Sequence, residues 1–205
     1  MNTLPDPVTD TPLPAAEHRR RLLQAMAQAV ARKGYADTTI ADVVAEAGVS
    51  RRTFYEHFAG RAECLVALYE AASHQALDLL RGAIDPAQEW PLQVERALGA
   101  YFGAMAANPV LLRTLFIEIL GLGPAGLAAR RRVNRDLADF ILSVVNAGPG
   151  PGASAAPLAP EMAMAVVGGI NELVLQHIEQ RREARLVELV VPASALVRAV
   201  AGRGR

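Results

Sequence analysis

The sequence predicts an all-α fold, and three observations carry that prediction. Apolar residues recur at spacings of three and four along most of the chain. No segment sustains the period-two alternation of a half-buried strand. The breaks between periodic segments carry Gly, Pro, Asn or Asp. Composition agrees: Ala, Leu and Val recur throughout while aromatics make up only 5%, a balance that favours helix packing. With 52% hydrophobic types, a 205-residue chain can bury a substantial core, which excludes a disordered protein.

Taken in order, residues 1–16 hold prolines and acids without a basic or strongly apolar run, so they read as a disordered leader and not as a signal sequence. A first helix is expected over about 18–33, with Leu22, Leu23, Met26, Ala29 and Val30 on one face and Gly34 as its stop. Thr39-Ile40-Ala41-Asp42 has the form of a capping box and opens a short helix over 40–47, whose apolar set is Ile40, Val43, Val44 and Ala47. Gly48 can take positive φ there, Val49 can tuck inward, and Ser50 can cap the next helix over 51–57. That helix is too short to stand without packing.

A long helix over 61–84 follows, placing Leu65, Leu68, Tyr69, Ala72, Ala76, Leu79 and Leu80 inward. Asp85-Pro86 breaks it. Further helices are expected over 92–107, with Val94, Leu98, Tyr101, Phe102 and Met105 inward, and over 110–120 after Asn108-Pro109. A turn over 121–126 leads to a helix over 127–145 that buries Leu137, Phe140, Ile141 and Val144. The GPGPG tract is a surface loop and rules out a membrane span in the longest uncharged stretch. Helices over 161–179 and 183–201 close the chain, the second interrupted by Pro192.

The charges define what the chain can bind. Arg plus Lys equal Asp plus Glu at 21 each, so the chain is no polycation. Residues 17–61 nevertheless hold eight Arg/Lys against five Asp/Glu, a local basic excess. Two short helices joined by a tight turn form a helix-turn-helix candidate over 39–58. Such a pair lets one helix enter a major groove while its neighbour crosses the phosphate backbone. Arg51 and Arg52 open the second helix, where guanidinium groups reach guanine edges or phosphates, and Thr53, Tyr55 and His57 add donors for phosphate oxygens. His18, His57, His74 and His177 are scattered, and HExxH, GxSxG and phosphate-loop patterns are lacking. We therefore expect no catalysis, no cofactor and no metal site. Cys64 reads as a small buried hydrophobe and not as a redox sensor. Arg130-Arg131-Arg132 with Arg135 reads as a solvated helix face.

The run TTIADVVAEAGVSRRTFYEHFAGRAECL resembles the DNA-binding signature of the TetR family of bacterial transcriptional regulators. The resemblance covers about residues 17–70. It implies a helix-turn-helix DNA-binding domain over 17–64 and a helical ligand-binding and dimerisation domain over 65–205. It also implies a cytoplasmic, bacterial homodimer that represses from a palindromic double-stranded operator and is released by a small, mostly apolar effector, with no membrane role. Carried over position by position, Thr39, Ser50, Arg51, Arg52, Thr53, Tyr55, His57 and Arg61 are the DNA-contact candidates. Arg61 stands where the family often has lysine, keeping the charge but changing the donor geometry.

In the second domain, Tyr101, Phe102, Met105, Phe116, Phe140, Met164 and Asn171 are the candidates to line an effector pocket. Val167, Ile170, Val174, Ile178, Leu196 and Val200 are the candidates for the dimer interface, with Gly168 and Gly169 permitting close approach. Two alternatives stay open: an activator or ligand-independent regulator on the same fold, and a helical interaction protein that binds no DNA.

Overall fold

The computed structural model describes residues 15–147 and 157–202. Every regular element among them is helical: α1 (Ala15–Asp37), α2 (Ile40–Ala47), α3 (Arg51–His57), α4 (Arg61–Gly82), α5 (Trp90–Ala106), α6 (Pro109–Phe116), α7 (Pro124–Ala147), α8 (Pro160–Glu179) and α9 (Val190–Val200). Two 3-10 turns, Glu118–Leu122 and Glu183–Leu189, precede α7 and α9. Ala15 and Ala16, expected in the leader, open α1; the rest of the leader and the GPGPG tract lie outside the described residues. No single helix among the described residues is long and apolar enough to cross a membrane.

Four boundaries differ from expectation, each for a local reason. Gly34 does break α1, at φ 76° and ψ 164°, but one further turn follows before Thr38. Buried Thr38 secures that turn, its hydroxyl donating to the Gly34 carbonyl at 2.7 Å. The helix expected to reach residue 120 ends at Phe116 and tightens into the first 3-10 turn. Gly123 then takes φ 59°, and α7 begins at Pro124, before the expected start, because proline in a first helical turn forfeits no intrahelical bond. Gly126, expected in a turn, is helical and packs directly on that 3-10 turn: an added Cβ would lie 1.8 Å from the Ile119 carbonyl oxygen. The final segment is split into a 3-10 turn and α9, so Pro192 falls in the first turn of a new helix, where its missing N–H is harmless.

Two principal cores organise the chain. The first joins α1, α2, α3 and the start of α4 around Leu22, Met26, Val43, Phe54, Phe58 and Leu65. The second joins the end of α4 to α5, α6, α8, the second 3-10 turn and α9 around Leu80, Phe102, Leu112, Val166, Val174 and Leu186. The long α4 therefore runs from one core into the other. On it Leu79 is exposed and Leu77 is buried, a correction to the expected inward set. Leu77 and Leu80, three residues apart, share the face towards α5. At 100° per residue, Leu79 lies well round the helix from Leu77.

Candidate nucleic-acid interface and interior cavities

The α2-turn-α3 unit is built from bonds between near neighbours. The Thr39 hydroxyl accepts the Asp42 N–H at 3.2 Å, and the Asp42 carboxylate accepts the Thr39 N–H at 2.7 Å, completing the capping box. Lys33 bonds the same carboxylate at 2.7 Å. Together Lys33 and the Thr39 hydroxyl and N–H hold the Asp42 carboxyl well below the usual carboxylate range. Gly48 ends α2 at φ 61°, where a side chain would be strained and would also meet Arg21 Nη2. The Ser50 hydroxyl accepts the Thr53 N–H at 3.0 Å and caps α3. Phe54 and Phe58 anchor α3 inward, leaving its other faces free.

The eight DNA-contact candidates separate into four groups. Thr39, Arg51, Tyr55 and Arg61 come together around one open groove between the start of α2, the start of α4 and α3. Arg51 and Tyr55, four residues apart, present their side chains to it from the same face of α3, and Tyr55 is 58% exposed. Arg52 lies outside this groove and pairs along the helix with Glu56 at 3.1 Å, with its own side chain 90% exposed. Ser50 and Thr53 are joined through their hydroxyls at 2.9 Å. His57 turns towards α1, with its ring 6.4 Å from that of His18.

Arg61 does more than border the groove. Its Nη1 donates to the carbonyls of Tyr35 and Ala36 at 3.0 Å each and to that of Thr38, while its guanidinium sits 4.4 Å over the Tyr35 ring. It thus ties the segment that delivers Thr39 to the start of α4. Glu118 joins the same segment, accepting the Tyr35 N–H at 2.9 Å. Neither link has a signature in the sequence, because both span long separations and end on backbone groups.

A profile described as "Bacterial regulatory proteins, tetR family" matches residues 22–68. That stretch matches the TetR family of bacterial transcriptional regulators. It is 36% identical over 75 residues to the HTH-type transcriptional regulator TtgR of Pseudomonas putida, covering 37% of this chain and 35% of that protein. It is 29% identical over 94 residues to the HTH-type transcriptional regulator YxbF of Bacillus subtilis, covering 45% of this chain and 25% of that one. The matches thus span a quarter to about a third of these relatives' lengths. In overall fold the chain is similar to the fatty acid degradation regulator FadR from Bacillus halodurans, with a TM-score of 0.75 at 19% identity over 87% of this chain and 93% of that one.

Beyond the part matched to the profile, the second core encloses two adjoining cavities. The first, about 80 Å³, lies among α4, α5, α7, α8 and α9 and is walled almost wholly by apolar side chains, with Leu80, Trp90, Tyr101, Phe140 and Ile170 among them. The second, about 40 Å³, is lined by Tyr69, Ser73, Met105, Phe116, Arg130 and Asn134. Tyr101, Leu137 and Asn171 line both. Of the seven pocket candidates, Tyr101, Met105, Phe116, Phe140 and Asn171 border these spaces. Phe102 is fully buried in the core, and Met164 is exposed on α8; neither lines either cavity. Arg130, expected on a solvated face, lines the second cavity instead.

Of the interface candidates, Val167, Ile170, Val174 and Ile178 are buried inside the chain's own core. Leu196 and Val200 pack partly against it, and Leu196 lies 3.0 Å from where a Cβ on Gly169 would be. The apolar periodicity of α8 therefore records its contact with this chain. Its outer face, with Ala165 and Gly168 exposed, and that of α9, with Val191 73% exposed and Ala195 exposed, are left to other contacts. Cys64 is buried, and burial pushes its thiol up to about 12, which makes it a poor nucleophile.

Proposed function

We propose that the chain is a ligand-responsive transcriptional repressor that binds a palindromic operator as a homodimer and releases it when a small, mostly apolar molecule occupies the second core. The observation that carries this reading is the exposed groove where Thr39, Arg51, Tyr55 and Arg61 meet, on a unit with its own core. Residues 17–64 are the DNA-binding part, and 65–205 serve effector binding and dimerisation. Thr39 and Tyr55 engage phosphates, and Arg51 reads base edges from the start of α3. A seven-residue α3 reaches too few base pairs to specify one site in a genome, so a two-fold partner is needed.

Exposed small residues Ala165, Gly168 and Ala195 and the exposed apolar Val191 on the outer faces of α8 and α9 support pairing there. Induction follows if the effector favours a spacing of the two α3 helices unlike the roughly 34–36 Å between successive major grooves. The link from cavity to DNA-binding unit is short. Phe116 lines the second cavity, and two residues later Glu118 holds the Tyr35 N–H.

Selection of bound fragments from random duplex DNA, repeated with Arg51→Ala, tests the assignment. A palindromic consensus that the variant relaxes is the expected result. Failure to enrich any sequence, from protein that sediments as a dimer, would overturn it.

A further inference from the structure

The two cavities differ in chemistry, and that difference defines the molecule that fills both. The first offers a ligand little but carbon: Leu80, Trp90, Tyr101, Phe140 and Ile170 line it. The second ends on Arg130, a half-buried residue whose guanidinium has no carboxylate partner among the described residues. Its neighbour Arg132, by contrast, is engaged with Glu70 at 2.6 Å. A guanidinium that borders a cavity and has no carboxylate partner there is suited to receive one from a ligand.

Donors converge beside it. Tyr69 lines the same space with its hydroxyl beside Ser73, and burial pushes its phenol up to about 12 against the opposing pull of Arg130. Asn171 Nδ2 donates to Asn134 Oδ1 at 3.2 Å, which leaves the Asn134 amide N–H groups for a ligand at the shared wall. Volume bounds the rest. The two spaces together are somewhat smaller than the roughly 150 Å³ that admits benzene, so a short alkyl body fits, whereas an aromatic ring, a long acyl chain or a nucleotide-bearing head does not.

We propose that the effector is a small monocarboxylate with a short alkyl body, its carboxylate on Arg130 in the second cavity and its body in the first. This rests on the reading of these cavities as the effector pocket. A bidentate guanidinium–carboxylate contact orients the head, and the apolar slot past Tyr101 selects the body. A phosphate or sugar acid satisfies the first requirement and fails the second.

The test uses butanoate, its neutral counterpart butan-1-ol, and the coenzyme A thioester of the same acid. Each is titrated calorimetrically into the full chain without DNA. The acid binds at least tenfold more tightly than the alcohol, and the thioester binds more weakly than the acid. Arg130→Gln removes the preference for the acid over the alcohol, and Arg130→Lys restores part of it. Melting curves of both variants establish that they are folded. Equal binding of acid and alcohol, a variant that still prefers the acid, or tightest binding of the thioester each overturns the proposal. Because no DNA is present, these results are independent of the fragment selection above. Loss of DNA recognition would sink the repressor and leave the carboxylate site standing, and the reverse holds equally.

Discussion

Replacing Arg61 with alanine should unfold the DNA-binding unit more readily, not merely loosen its grip on DNA. The Arg61 Nη1 donates to three carbonyls on residues 35–38, and the guanidinium stacks on Tyr35 at 4.4 Å. A hydrogen bond from a charged donor contributes about 1.5–3 kcal/mol net. The three acceptors share one nitrogen, so they count as roughly one such bond, and the stacking adds about 0.5–1 kcal/mol. The expected loss is therefore about 2–4 kcal/mol, read as a lower urea midpoint by circular dichroism. Arg61→Lys separates geometry from charge. A lysine keeps the cation but lacks the planar fork, so it should lose most of the same stability while DNA binding keeps its wild-type salt dependence. The reasoning fails if both variants are as stable as wild type and Arg61→Ala makes the salt dependence shallower by about one phosphate contact. Arg61 would then be a backbone-contact residue and its carbonyl bonds incidental.

Gly126→Ala should destabilise the second unit by about 1–3 kcal/mol or more, measured by thermal melting, since its Cβ would fall on the Ile119 carbonyl oxygen; an unchanged melting temperature would show that the 3-10 turn yields freely. Asp42 has a folded-state pKa held below its ordinary value of 3.8, so its contribution is present above that value and is lost as pH falls below it. Asp42→Asn should therefore lie below wild type in stability at neutral pH and converge with it in acid, and a gap that persists at low pH would assign the effect to cap shape alone. Glu118→Ala removes the acceptor of the Tyr35 N–H. Effector binding should survive in this variant while its effect on DNA affinity shrinks, as seen by comparing DNA titrations with and without saturating effector; full coupling would route the signal elsewhere.

Thr39, Gly48 and Ser50 were legible because what they do is complete within a few residues. A capping box closes over three positions, a left-handed stop needs only its glycine, and the start of α3 follows from its cap. Hence the bounds of α2 and α3 could be read without any tertiary contact. Apolar spacing likewise shows that α8 has a buried face, but not what covers it. Val167, Ile170, Val174 and Ile178 face their own chain, and only packing decides between that and a symmetry mate. The same limit explains Leu77 against Leu79 on a helix that passes through two cores, where the direction of burial is set by α5. Arg130 is the sharpest case. Among four arginines on α7, position alone makes all of them surface; it took the fold of α4, α5 and α8 around the helix to leave one beside a cavity and another on Glu70. Bonds that close within a turn of helix are written in the order of residues, whereas Arg61 on the 35–38 carbonyls and Glu118 on Tyr35 join segments whose meeting depends on the whole packed chain.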